Sequence, residues 1–295
     1  MTAVLPTLEP SRSRGSRKAR SAVATVAIVG AFVVALIPLV LIIGYVVSRG
    51  LSVLSSSFFN DDIAYSARAV SGGMRPAIIG TLLITGAATA MAVPLGILGG
   101  IWLNEYGTPR RLAGLIRFLA DVMTGVPSIV MGLFVYTFLV LRTQEPNAFF
   151  GAIALACLML PVVIRTTEEM PRLVPLDQRE ASMALGGRKA RTIMRVVMPA
   201  SLPGIISGAL LAVARAAGET APLLFTIGFT FTVNTSLFNG ANTALPVQIF
   251  GNANSAFPAA QDRAWGAALT LIVLVFVFTI LARIFSALYV RKQRG

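Results

Sequence analysis

Residues 179–200 read REASMALGGRKARTIMRVVMPA and form a charged insert between two strongly apolar stretches, residues 149–166 and 202–227. A helix of about 20 apolar residues crosses a bilayer, and both stretches are close to that length. Charged side chains are costly in hydrocarbon, so the insert belongs in water. The order apolar, charged, apolar therefore predicts a polar loop between two membrane-spanning helices.

The local pattern of this insert predicts a short helix followed by a second one. Asp177 and Glu180 stand three residues apart, which predicts a helix start with a capping box, and the glycine pair at 186–187 ends the helix after about two turns. The first helix presents one small apolar face, formed by Ala181, Ala184 and Leu185. A second helix is predicted over 188–198, stopped by Pro199. A short helix with a small apolar face is suited to docking in a groove of a partner protein. A plain solvated helical hairpin would show the same helix pattern.

The composition is typical of a polytopic membrane protein. Of the 295 residues, 56% are hydrophobic, and the mean hydropathy is +0.78. The chain has no histidine, which excludes His-dependent metal sites and the commonest general base, so we expect no metal site. Its single cysteine, Cys157, excludes an internal disulfide. Because no glycine loop ends in Lys-Ser or Lys-Thr, we expect no ATP site either.

Six apolar stretches are long enough to span a membrane, and they predict an all-α fold with six transmembrane helices. Backbone groups in hydrocarbon must bond to one another within the segment, which favours helices. The stretches are 22–48, 77–103, 113–141, 149–166, 202–227 and 265–289. The predicted organisation is a disordered basic leader at 1–20, a first helix at 21–49, an external loop at 50–71, a transmembrane core at 72–290 that contains the loop 172–200, and a tail at 291–295.

The distribution of basic residues predicts the orientation. With the N-terminus inside, 19 of the 25 Lys and Arg residues fall on the cytosolic side, five fall outside, and Arg215 lies within a span. Cytosolic loops of membrane proteins carry this excess of positive charge. Both termini are therefore expected in the cytosol, with basic residues near membrane lipid. The net charge of +13 then needs no nucleic-acid partner.

Arg215 and Glu219 are ionisable residues within the fifth apolar stretch, where charge usually has a function. They are four residues apart and would share one face of a helix. One interpretation is an internal ion pair that holds the bundle together. The other is that Arg215 meets an anion in transit, because a guanidinium presents a planar fork of donors that fits an oxyanion. Gly218 and Pro222 beside the pair predict a kink or local opening.

Other charges and prolines near the spans leave two interpretations open. Arg165 is either an anchor at the inner end of the fourth span or a second arginine of a pore. Arg117 and Asp121, four residues apart, predict a structural pair. Proline occurs well inside three spans and predicts kinks, although a broken helix that lines a cavity is an alternative. These prolines are Pro94, Pro127 and Pro161.

The insert resembles the cytosolic signature of permease subunits of ATP-driven importers: Glu-Ala-Ala, three residues, Gly, nine residues, Ile-x-Leu-Pro. The matching residues are Glu180, Ala181, Ser182, Gly186, Val196, Met198 and Pro199. Ser replaces the second Ala, Val replaces Ile, and Met replaces Leu. The resemblance implies that this loop contacts a separate ATPase.

Longer strings narrow the resemblance to the A-type permease subunits (PstA) of phosphate ABC importers. They are GGMRPAIIGTLLITGAATAMAVPLGILGGIWLNEY (72–106), GVPSIVMGLF (125–134), LPVVIRTTEEM (160–170) and RAAGETAPLLFT (215–226). The resemblance covers about residues 72–290. It implies the MetI-like type I importer fold in the cytoplasmic (inner) membrane, and alternating access for phosphate. The charges to which that family is sensitive match Arg165, Arg215 and Glu219.

The resemblance also implies the partners. They are a paralogous permease subunit in a heterodimer, a cytosolic ATPase dimer and an extracytoplasmic phosphate-binding protein. ATP and Mg would be bound by the ATPase, and this chain would hold no cofactor and catalyse no reaction. The alternatives are a secondary transporter or channel for an anion, and an ABC importer permease for another substrate. An intramembrane enzyme is disfavoured, because the chain offers no nucleophile–base pair.

Overall fold

The computed structural model describes residues 14–107 and 111–294, and every regular element in them is helical. The chain separates into two compact units, residues 1–48 and 49–295. The first unit contains most of α1 (Arg14–Leu51). The segment Lys18–Leu51 of this helix is long and apolar enough to cross a membrane.

The second unit is a bundle in which long helices alternate with short ones. Its helices are α2 (Ser56–Asn60), α3 (Arg75–Glu105), α4 (Arg111–Gly125), α5 (Ser128–Val135), α6 (Leu141–Thr143), α7 (Ala148–Glu169), α8 (Leu176–Ala184), α9 (Lys189–Thr192), α10 (Met198–Ala217), α11 (Ala221–Thr226), α12 (Leu245–Ala253) and α13 (Pro258–Arg294). Two π-helical turns, Tyr136–Val140 and Ile193–Val197, join α5 to α6 and α9 to α10. A 3-10 turn, Met170–Leu173, follows α7.

The centre of this unit is the packing of α3 against α7. Two glycines of α3 allow the backbones to approach closely, as small residues do between membrane helices. A methyl group built on Gly96 would lie 2.7 Å from Val163 Cβ, and one on Gly100 would lie 2.5 Å from Thr167 Cβ. The buried core around this contact also takes residues from α10, α11 and α12. The residues that line the sites below are therefore fixed on a packed scaffold.

The prediction of six spans is confirmed, with one correction. Five helical segments of the described residues are long and apolar enough to span a membrane, and a bent pair of helices makes the sixth when its two parts are counted as one span. The pair is Arg111–Gly125 and Ser128–Thr143, and its two parts meet at 105°. The prediction of one helix over 113–141 is therefore wrong. Pro127 becomes the N-cap of α5, because proline lacks an N–H and disfavours helix in the residue before it.

The fifth span begins earlier than predicted, and its helix ends at Ala217, before the break at Gly218. It runs without interruption over Lys189–Ala217, so the prediction that Pro199 stops a helix is wrong. Pro199 lies in the first turn of α10, directly after the π-helical turn. At that position the missing N–H removes no regular α-helical bond, which is why proline is tolerated there.

The two ends of the second unit differ in character. We call the end that carries residues 172–200 the basic end. The opposite end carries residues 56–72 and the long loop 228–257, part of which is buried against α3. Leu245 N donates to Thr81 Oγ1 at 2.8 Å, and Asn242 N donates to the Ile227 carbonyl at 2.7 Å.

The predicted leader and tail are only partly described. Residues 1–13 of the leader and residue 295 of the tail lie outside the described residues. Within the leader, α1 already begins at Arg14. At the other terminus, α13 continues to Arg294.

Candidate functional site

The helix that carries Arg215 is interrupted directly after it. α10 ends at Ala217, Gly218 is its C-cap, and α11 begins at Ala221. The amide of Glu219 turns back to donate to the Ala216 carbonyl at 3.1 Å. The predicted local opening is therefore present in the fifth span, and it leaves Glu219 outside regular α-helix.

Arg215 and Glu219 form a loose and accessible pair. Arg215 Nε lies 3.6 Å from Glu219 Oε1, and the two side chains are 74% and 19% exposed. Both residues line a cavity of about 200 Å³ between α4, α5, α7 and α10. Both also line a groove of about 570 Å³ beside α13. No other ionisable side chain of the described residues lines either space, so the guanidinium is available to an anion.

Arg165 lies in a different environment, a charge cluster at the basic end. Its Nη2 contacts Asp121 Oδ2, and its Nη1 donates to Glu168 Oε2 at 3.2 Å. Glu168 also accepts from Arg117 Nε at 2.6 Å and from Arg172 Nη2 at 2.5 Å. The predicted pair of Arg117 with Asp121 is therefore wrong. Each of these two residues on α4 pairs with a residue of α7 instead, Arg117 with Glu168 and Asp121 with Arg165.

Glu168 holds this cluster together. Its side chain is 1% exposed, and a buried carboxylate is costly unless charged donors satisfy both oxygens. Its three arginine partners do so. Sequence analysis did not single it out, because only Arg165 of its three partners lies on the same helix and adjacent Glu169 gives the same local signal.

α8 forms a small foot at the basic end. It begins after Pro175, which makes no side-chain cap bond, so the predicted capping box is not formed. Gly186 with φ +81° ends the foot as predicted, because glycine adopts this conformation without steric cost. Glu180 and Ala181 are exposed, and Leu185 is 90% exposed.

The remaining signature residues face the bundle rather than solvent. The hydroxyl groups of Ser182 and Thr192 lie 2.9 Å apart and join α8 to α9. Pro199 is half-buried at the start of α10. The signature thus combines an exposed surface with the residues that hold it in place.

A second set of contacts, which sequence analysis missed, ties the foot to α3. Arg179 Nη1 donates to Glu105 Oε1 at 2.8 Å, and its Nη2 donates to the Pro171 carbonyl at 2.6 Å. Lys189 Nζ contacts the Glu105 carbonyl oxygen. We call these contacts around Glu105 and Arg179 the clasp. An acid at the end of one span and a base 74 residues later give no local sequence signal.

A family model described as "Binding-protein-dependent transport system inner membrane component" matches residues 92–295. The chain belongs to this family. The match covers the bent pair, the foot, the Arg165 cluster and the Arg215 break. Members of the family are inner membrane components of transport systems, which agrees with the membrane spans of the structure.

Similar proteins within this family include a named phosphate permease. The "Phosphate transport system permease protein PstA 1" of Mycobacterium tuberculosis is 42% identical over 285 residues, which cover 94% of this chain and 91% of the relative. Among solved structures, a chain of a bacterial ABC transporter involved in the import of the acidic polysaccharide alginate matches over 92% of this chain and 98% of its own length, with 14% identity and a TM-score of 0.62. A MetNI methionine ABC transporter chain covers 71% of this chain and 93% of its own, with 17% identity and a TM-score of 0.59.

These comparisons confirm the predicted fold class. The chain is all-helical with the fold of ABC importer permeases, and the named relative confirms the expected family. No group of three or more Cys, Asp or Glu side chains in the described residues is arranged to hold a metal ion. Ionic contacts of the described residues form the Arg215 pair, the Arg165 cluster and the clasp.

Proposed function

We propose that this chain is a permease subunit of an ATP-driven importer that moves inorganic phosphate across the cytoplasmic membrane by alternating access. The observation that carries the proposal is the accessible Arg215 at a helix break inside a span. The relative named as a phosphate transport permease supports the choice of anion.

Arg215, Glu219 and Arg165 form the substrate path in this proposal. The guanidinium of Arg215 offers paired donors to two oxygens of phosphate. Glu219, at 3.6 Å from Arg215 Nε, lowers the net attraction, so phosphate is held weakly and can leave. Because 74% of the Arg215 side chain is exposed, the path is completed by a second, paralogous permease subunit in a heterodimer.

The foot transmits the energy. A cytosolic ATPase dimer binds ATP and Mg and contacts the exposed Glu180 and Ala181, while Ser182, Gly186 and Pro199 hold the foot in shape. ATP binding closes the ATPases and opens the path outward, and hydrolysis resets it. The chain itself binds no cofactor and catalyses no reaction. The excess of basic residues then places both termini in the cytosol, and an extracytoplasmic binding protein delivers phosphate at the opposite end.

Replacing Arg215 with Gln tests the substrate path. Uptake of radiolabelled phosphate should fall to background, because glutamine has no charge to attract the anion into a low-dielectric path. The measurement uses proteoliposomes that contain both permeases and the ATPase, with binding protein outside and ATP inside. Arg142→Gln is the matched control, since Arg142 is exposed and lies outside both cavities.

Two results would contradict the proposal. Normal uptake by the Arg215→Gln complex would remove Arg215 from the path. Phosphate uptake by this chain alone, without nucleotide or ATPase, would instead identify a channel or secondary transporter.

A further inference from the structure

Arg165 binds two carboxylates, which differ in their exposure and in the number of their other partners. Glu168 is 1% exposed and accepts from two further arginines. Asp121 is 63% exposed, and Arg165 is its only ion-pair partner in the described residues. A buried, fully bonded carboxylate is costly to move, whereas an exposed one exchanges its partner for water. Of the two, only Asp121 is free to leave.

The pair of Arg165 and Asp121 lies directly beside the Arg215 cavity. Val162 on α7 and Met123 on α4 both line that cavity. Arg165 is three residues beyond Val162 towards the basic end, a rise of about 4.5 Å along a helix. Asp121 is two residues before Met123. An anion that leaves the cavity towards the basic end therefore meets this pair next.

The carboxylate of Asp121 occupies donors that an oxyanion would use. A guanidinium has five N–H groups. In this structure Arg165 Nη1 donates to Glu168, while Nη2 contacts Asp121 and donates to the Arg117 carbonyl at 3.1 Å. Carboxylate and phosphate oxygens bind a guanidinium in the same manner. The two anions therefore compete for Nη2.

We propose that Asp121 is a gate residue that competes with phosphate for Arg165. While Asp121 holds Arg165, the position is closed to the substrate. When Asp121 swings into solvent, Arg165 accepts phosphate from the Arg215 cavity, and the return of Asp121 expels the ion towards the cytosol. This role rests on the proposed function, because it needs an oxyanion substrate that passes Arg165.

The competition makes Asp121 a positioning residue whose loss has a distinctive effect. Without its carboxylate, the cluster of Arg117, Arg165 and Arg172 is opposed by Glu168 alone, so its net charge rises by one. Phosphate should then bind more tightly and leave more slowly. A merely structural role would predict weaker binding or loss of the folded complex instead.

Equilibrium binding of radiolabelled phosphate to the purified complex in nanodiscs, without binding protein, tests this role. Asp121→Asn and Asp121→Ala should each lower the dissociation constant about tenfold, because a charge-assisted hydrogen bond no longer has to be displaced. Uptake in proteoliposomes should become slower in the same variants. Asp262→Asn, which removes an exposed acid at the opposite end, should change neither quantity.

A double variant tests whether the effect of Asp121 on phosphate binding depends on Arg165. In an Arg165→Gln background, Asp121→Asn should have no further effect on phosphate binding, since the competed donor is gone. If Asp121→Asn and Asp121→Ala leave the dissociation constant unchanged, or tighten binding equally in the Arg165→Gln background, the gate is overturned. Failure of the proposed function is separate, because wild-type complex would then show no uptake dependent on ATP and binding protein.

Discussion

A single methyl group decides whether the loop at the opposite end can pack against α3. Gly80 faces the segment Asn242–Leu245, and a Cβ atom at this position would overlap the Thr243 carbonyl oxygen. Thr243 is fully buried, and its hydroxyl accepts from Gln248 Nε2 at 2.9 Å. Backbone meets backbone here, so a flexible side chain is not available to move aside.

Replacing Gly80 with Ala should therefore destabilise the protein by roughly 1–3 kcal/mol, the usual cost of overpacking a well-packed site. Thermal unfolding in detergent measures the effect as a lower midpoint. Gly86→Ala on the same helix is the control, because no atom lies within 4 Å of its added methyl. That change should be neutral or stabilise α3 by up to about 1 kcal/mol. Equal midpoints for both variants would show that the loop does not pack as described.

Sequence analysis identified candidate functional charges more successfully than it identified their ion-pair partners. Arg215 with Glu219 was found because both fall within one apolar stretch and four residues apart. The same four-residue rule failed for Arg117 and Asp121, because it considers one helix only. Their partners, Glu168 and Arg165, both lie on α7, and the packing of two helices cannot be derived from the spacing on one of them.

At the scale of elements, the foot is held to the bundle mainly by polar contacts. α8 has no fully buried residue, so apolar packing stabilises it little. The clasp joins it instead to the end of α3, where the side chains of Glu105 and Arg179 are 6% and 17% exposed. Since α3 packs along α7, which carries Arg165, the clasp connects the foot to the substrate path of the proposed function.

Breaking the clasp should uncouple transport from ATP hydrolysis. Arg179→Gln and Glu105→Gln should each lower the phosphate imported per ATP hydrolysed severalfold, and the double variant should be no worse than either, because both lose the same contact. Charge reversal, Glu105→Arg with Arg179→Glu, should restore part of the coupling. Parallel assays of uptake and ATPase activity measure the ratio.

The control for the clasp is Arg191→Gln, which removes an exposed arginine from the same loop. Its coupling ratio should equal that of the wild type. If the clasp variants also keep the wild-type ratio, the foot moves α3 by another route.

The elements themselves were predictable to different degrees. Long apolar runs with few charges predicted α3 and α7 to within three residues and α13 to within seven, because length and hydropathy are local properties. The effect of each proline could not be predicted in this way, since a proline can end, kink or begin a helix. Pro127 begins a new helix after a 105° bend. Pro199 instead follows a π-helical turn, and the helix continues through it. The backbone bonding of the preceding residues decides between these outcomes.

The whole molecule has two chemically different ends, and this difference assigns its partners. The basic end carries the foot, the clasp and the Arg165 cluster, all built from arginines and acids. The opposite end is dominated by backbone and amide hydrogen bonds, with Asn234 Nδ2 donating to Ala241 O at 3.0 Å as one example. In the proposed function the ATPase contacts the exposed foot, so we expect it to bind at the basic end.

One substitution at each end tests that assignment. Leu185 on the foot is 90% exposed and Val70 at the opposite end is 93% exposed, so neither change disturbs the core. Leu185→Asp should weaken ATPase binding by roughly 100-fold, because a carboxylate would be buried without a partner in the interface. Val70→Asp should leave it unchanged. Co-purification of the ATPase with the tagged permease, followed by titration of the separated subunits, measures both. Retention of the ATPase by Leu185→Asp together with its loss in Val70→Asp would reverse the assignment of the two ends.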